Sequence, residues 1–203
     1  MTKINKNIKI NVNQKYWEVY NMDNKVKFDI RDITLCALFA AIIAVLAQIS
    51  IPIKPVSFTF QIFGVALAGI ILGSKKGFIS VMVYILLGSI GVPVFAGMNG
   101  GIQVLVGPTG GFLIGFPFMA LIVGYFSERN GKVSYIFLGA IIGLVLTYLI
   151  GSMQLAFVAK MSFSKALWVG VIPFVILDLF KIAIVVFIGC NIRKKLINRV
   201  RYN

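Results

Sequence analysis

The chain contains no histidine, two cysteines, and six acidic residues against twenty lysines and arginines. Each shortage excludes a class of chemistry. Without histidine, a zinc or haem centre loses its commonest ligand, and hydrolytic triads lose their usual base. Cys36 and Cys190 both lie in long apolar runs, where they read as small packing residues rather than a disulfide or a metal pair. There is no G-x-x-x-x-G-K-[ST] phosphate loop, no nucleophile elbow, no H-E-x-x-H motif and no second intramembrane acid, and "GSKKG" (73–77) is a short basic turn. The chain is therefore expected to be no enzyme, to have no catalytic residues, metal or cofactor, and to hydrolyse no ATP. Charged residues make up 13% of it, which leaves no soluble module for binding nucleic acid.

What fills the sequence instead is apolar. Hydrophobic residues account for 59% and the mean hydropathy is +0.95, well above the roughly 45–50% apolar content of soluble domains. Crossing about 30 Å of hydrocarbon takes about 20 apolar residues in a helix. Cutting the chain at its charges gives six such spans, at 33–52, 57–73, 77–96, 108–127, 133–159 and 168–192. The uncharged run 77–127 divides in two because "AGMNGGIQVLVGPTGG" interrupts regular structure. The fold class expected is an all-α integral membrane protein with six transmembrane helices, in one domain over 32–192. Residues 1–31 are expected to form a basic cytoplasmic tail, with an amphipathic turn near "YWEVYNM" and no cleavable signal. Residues 193–203 form a second basic cytoplasmic tail.

Basic residues set the orientation. With six spans both tails lie on one side, together with Lys75, Lys76, Arg129 and Lys132. That side carries sixteen basic residues and the other carries Lys54, Lys160 and Lys165, so both termini are expected in the cytoplasm. The net charge of +14 then reflects topology and contact with anionic lipid headgroups.

Three features remain for function. In "VIPFVILDLFKIAIVVFIGC" (171–190) stand Asp178 and, three residues on, Lys181, on one face of a helix. A pair that merely locks the helix in place is the plain alternative, but a central charge costs at least about 2.5–3.5 kcal/mol to insert, and packing can be had from leucine. A ligand site is the better reading. Secondly, "GVPVFAGMNGGIQVLVGPTGG" (91–111) reads as a loop folded back on the bundle like a lid, with Asn99 between its glycines able to donate and accept hydrogen bonds. A passive external connection is its alternative. Thirdly, Ala37 and Ala41, and likewise Ala40 and Ala44, form small-residue stripes on the first span, suited to internal packing or to a partner helix.

These residues resemble a known family. "GVPVFAGMNGGIQVLVGPTGGFLIGF" (91–116), "AQISIPIKPVSFTFQIFGVALAGIILGSKKG" (47–77) and the D-x-x-K of "PFVILDLFK" (173–181) are similar to signatures of the BioY family, the biotin-specific S components of energy-coupling-factor (ECF) transporters. The likeness spans about residues 32–192. It implies a six-helix subunit in the plasma membrane that captures biotin from outside and associates with a transmembrane coupling subunit (T component) and two ABC ATPases. On this likeness Asp178, Lys181 and Asn99 match the binding-site positions, with Gly100 and Gly101 beside Asn99, and Ala37 and Ala41 match the motif that contacts the coupling subunit.

The chemistry is consistent with that expectation. Biotin offers two ureido N–H donors, a carbonyl acceptor, an apolar thiophane ring and an anionic tail. Asp178 can accept from the ureido N–H groups, Lys181 can donate to a carbonyl or hold Asp178 ionised, and Asn99 can complete either pattern. Gln61 and Gln103 are further polar candidates, and Phe58, Phe95 and Phe174 are candidates to cover the apolar part. Rival readings are an S component or a self-contained transporter for another vitamin-like solute, an intramembrane enzyme, and a purely structural subunit.

Overall fold

A computed structural model describes residues 29–53 and 56–202, with side chains throughout except at 130 and 197–202. The "YWEVYNM" turn, most of the N-terminal tail and Lys54 lie outside the described residues. The elements in chain order are α1 (Ile30–Gln48), β1 (Ser50–Ile51), β2 (Phe58–Thr59), α2 (Gln61–Leu72), α3 (Ser74–Ser89), a 3-10 turn (Ala96–Met98), α4 (Ile102–Val106), α5 (Gly110–Asn130), α6 (Val133–Val158), α7 (Phe163–Gly170) and α8 (Ile172–Tyr202).

The chain is mostly helical, and its helices coincide with the apolar runs. Among the described residues four are long and apolar enough to cross a membrane: Ile30–Gln48, Gly110–Arg129, Val133–Val158 and Ile172–Leu196. The two between them are shorter than the sequence suggests. α2 has 12 residues and α3 has 16, about 18 and 24 Å of helix against about 30 Å of hydrocarbon. The expected span 57–73 loses its first turn because Phe58 and Thr59 pair antiparallel with Ile51 and Ser50. This small hairpin departs from a strictly all-α fold. The expected span 77–96 starts earlier, at Ser74, and stops at Ser89. At its start the Glu128 carboxylate accepts from Ser74 N and Ser74 Oγ, both at 2.8 Å, so a neighbouring helix caps the first turn. Gly73 (φ +85°) makes the corner, and a Cβ there would strike Glu128 Oε1. The last span, expected from 168, breaks at Val171 into α7 and α8, with Pro173 in the first turn of α8, where a missing N–H costs no helix bond. α8 also runs past 192, carrying the tail residues up to Tyr202 as helix.

Glycines set the helix spacing. A Cβ on Gly69 would lie 2.6 Å from Ala120 O, and one on Gly124 would lie 2.4 Å from Ser74 N, so α5 crosses the α2–α3 corner backbone to backbone. Gly111, Gly115, Gly143 and Gly151 bring α5 and α6 equally close. Gly124→Val should therefore destabilise the detergent-solubilised protein by about 1–3 kcal/mol or more, because neither backbone can yield. Leu138→Val, at an exposed position on α6, serves as the control. A thermal unfolding midpoint equal to the parent's in Gly124→Val would contradict this packing.

Several charges that the sequence assigns to one side meet at one end of the bundle. Lys76 Nζ pairs with Asp32 at 2.5 Å, and Arg193 donates to Ile70 O and Ser127 Oγ, each at 2.5 Å. These contacts tie the start of α1, the α2–α3 corner, the end of α5 and the far half of α8 together. The core between them is apolar, and among the described residues Asp178 and Lys181 are its charged members.

Candidate ligand-binding site

Toward the other end of α8 its polar pair faces a cavity of about 50 Å³. Five elements besides α8 build it. The β2 strand and the residues just before it contribute Val56, Ser57, Phe58 and Thr59, α6 contributes Tyr148, and Phe112 comes from the start of α5. Ile62, Gly170 and Phe174 complete the wall.

Asp178 and Lys181 are 3% and 4% exposed, so both charges are removed from solvent and must find partners inside. Lys181 Nζ is bonded to Asp178 Oδ1, as the three-residue spacing on one helix permits. The second carboxylate oxygen, Oδ2, accepts from the Tyr148 hydroxyl at 2.5 Å. Lys181 also donates to the main-chain oxygen of Thr59 at 2.7 Å, and its Nζ lies 4.1 Å from the Phe58 ring centre and 5.6 Å from that of Phe60. The Phe58 ring in turn stacks on Phe174, with centres 6.4 Å apart. The result is a fixed carboxylate and ammonium at a wall of aromatic rings, which suits a ligand with an apolar body and a small polar head.

Of the residues singled out in the sequence, Asp178, Lys181, Phe58 and Phe174 meet at this cavity. Gln61 lies one hydrogen bond behind it: its Oε1 accepts from Thr59 Oγ1 at 2.9 Å, and its Nε2 donates to Tyr84 Oη at 2.6 Å. Asn99, Gly100, Gly101, Gln103 and Phe95 are not among the lining residues; they belong to the segment that joins α3 to α5. That segment is packed down on the bundle. Phe95 is 1% exposed, edge-on to Tyr84 and against Gly88, and Gln48 of α1 donates to Phe95 O at 3.1 Å while accepting from Met98 N at 2.9 Å. Asn99 is exposed, with its side-chain amide donating to Ala96 O at 2.7 Å and its main-chain oxygen accepting from Phe95 N at 2.9 Å. At Gly100 the segment folds back on itself, and a Cβ there would lie 2.6 Å from Val92 O. Gln154, on α6, donates to Leu105 O and Gly107 O at 2.6 and 2.8 Å and holds the far end of the segment.

Comparison with known proteins identifies the architecture. The BioY family profile matches residues 22–198. The chain belongs to the BioY family. It is 48% identical over 159 residues to the probable biotin transporter BioY of Pyrococcus horikoshii, covering 78% of this chain and 94% of that one. It is 40% identical over 169 residues to the biotin transporter BioY of Thermotoga maritima, covering 83% and 99%. Among solved structures, the S-component for biotin from an ECF-type ABC transporter superposes with a TM-score of 0.76 at 29% identity, covering 81% of this chain and 92% of that one. Membership makes the chain an integral membrane protein of transporter type, in keeping with its four long apolar helices. The family match begins ten residues before Asp32 and so includes part of the segment read as a tail.

Two contributors to the site carried no signal in the sequence. Tyr148 sits in the unbroken apolar run "LVLTYLIGS", thirty residues from Asp178, where a tyrosine is ordinary. The Thr59 carbonyl is main chain, and only the β1–β2 pairing reveals where it points.

Proposed function

We propose that this chain is the biotin-binding, substrate-specific subunit of an ECF transporter in the plasma membrane. The observation that carries the reading is the buried Asp178–Lys181 pair, braced by Tyr148 and facing an aromatic-walled cavity, in a chain related over most of its length to biotin transporters. Asp178 accepts from the ureido N–H groups, Lys181 holds that carboxylate in place and donates to the ureido carbonyl, and Phe58 and Phe174 cover the thiophane ring. Asn99, Gly100 and Gly101, with Gln103 nearby, contact the ligand from the glycine-rich segment as it settles over the site.

In this reading the chain crosses the bilayer six times with both termini cytoplasmic; the clustering of Lys76, Arg193 and Asp32 at one end supports that sidedness. Energy comes from partners: a transmembrane coupling subunit and two ABC ATPases. The α1 stripe supports the coupling contact, because Ala37 and Ala41 are exposed while Ala40 is buried. The test is calorimetry on the purified protein. Biotin is expected to bind saturably at one site per chain, while thiamine and riboflavin give no heat. A null titration with biotin, or a different vitamin-like molecule found by native mass spectrometry on the purified protein, would replace this reading with the other-solute one.

A further inference from the structure

The polar groups behind the cavity form a continuous chain that ligand contact alone does not require. It starts at Lys181, which donates to Thr59 O at 2.7 Å. Thr59 Oγ1 then donates to Gln61 Oε1 at 2.9 Å, Gln61 Nε2 donates to Tyr84 Oη at 2.6 Å, and Tyr84 Oη donates to Val94 O at 3.2 Å. Val94 lies near the start of the glycine-rich segment, so the chain links the ion pair on α8 to a loop that contributes nothing to the cavity wall.

Gln61 and Tyr84 are 5% and 0% exposed. Burying an amide and a hydroxyl in an apolar bundle is costly unless each is bonded, and a methionine and a phenylalanine would fill the same space. Away from the ion pair, Thr147 bonds back to its own helix at Gly143 O, and Ser80 and Ser127 each donate to one main-chain carbonyl of a neighbouring helix. Gln61 instead bridges two side chains from different elements. Its own position is fixed by Thr59, whose Oγ1 also accepts from Gln61 N at 3.3 Å at the start of α2. Tyr84 is further pinned edge-on to Phe95 of the segment, with ring centres 5.6 Å apart.

We infer that Gln61 and Tyr84 are positioning residues that couple occupancy of the Asp178–Lys181 site to the seating of residues 91–107; this rests on the biotin reading above. A ligand that draws Lys181 toward itself changes its hold on Thr59, and the buried chain passes that change to Val94, where Gln48 also bonds at 3.3 Å. Because coupling is reciprocal, a seated segment also favours the ligated arrangement of the ion pair.

The test uses the full chain in detergent with Cys36→Ala and Cys190→Ala, and a reporter thiol from Ala96→Cys, a half-buried position in the seated segment. Saturating biotin should slow maleimide labelling at least about fivefold in this parent, and under about twofold once Tyr84→Phe is added, the former being the low end of ordinary coupling. Calorimetry confirms biotin occupancy in each protein. Gln61→Met cuts the same chain at near-constant volume and decides the matter where Tyr84→Phe does not fold. A merely structural role would lower the unfolding midpoint and leave the ratio of labelling rates untouched. Full protection in the folded variants, or a parent that binds biotin without protection, overturns the coupling alone. A parent that gives no biotin heat overturns the biotin reading as well.

Discussion

Asp178→Asn is expected to weaken biotin binding at least about tenfold, since a hydrogen bond to a charged acceptor contributes about 1.5–3 kcal/mol and each 1.4 kcal/mol is a decade in affinity. The substitution keeps the side chain's shape. It removes the charge that Lys181 is bonded to and puts an N–H donor where a second acceptor faced Tyr148. A ureido N–H approaching that donor meets a repelling group, and Lys181, 4% exposed, is left with Thr59 O and the Phe58 face as partners. Breaking one half of a buried pair also destabilises the fold, by about 3–5 kcal/mol where burial is complete. The unfolding midpoint without biotin must therefore be measured beside the calorimetric affinity. Tyr148→Phe gives the graded comparison: it deletes one donor to Asp178 Oδ2, leaves the ion pair intact and should cost less affinity than Asp178→Asn. Unchanged affinity in folded Asp178→Asn would remove Asp178 from the site.

How far the sequence reveals this site depends on the kind of residue. Asp178 and Lys181 stand out because charge inside an apolar run is rare and expensive, and their spacing alone puts them on one face. Tyr148 does not, since a tyrosine in a membrane helix carries no comparable penalty and its partner is remote in sequence. Asn99 is conspicuous among glycines, yet the structure bonds its side chain to Ala96 O within the segment, because local hydrogen bonds compete for a short amide side chain. The fold shows the same division. Helices α1, α5 and α6 follow hydropathy to within three residues of the expected starts. The ends of α2, α3 and α8 are set by the β1–β2 pairing, the Glu128 cap and the break at Val171, and all three are tertiary or local-backbone events that a hydropathy count cannot register.

The alanine stripe shows what the structure adds to a pattern that the sequence leaves ambiguous. Ala37/Ala41 and Ala40/Ala44 have identical four-residue spacing on α1, and either could be a packing face. Burial separates them: Ala40 is 3% exposed and packs inside with Phe39 and Ile43, while Ala37 and Ala41 are exposed beside Leu38 and Val45. Both alanines are exposed among the described residues, so Ala37→Trp and Ala41→Trp should fold and bind biotin like the parent. In cells carrying the coupling subunit and ATPases, each should abolish biotin uptake and co-purification of the coupling subunit, because a tryptophan holds a partner helix several ångströms away and loses the close backbone approach that small residues provide. Leu38→Trp, on the same exposed side but already large, should be milder. Normal complex formation by both alanine variants would assign the coupling surface to another face of the bundle while leaving the biotin site as described.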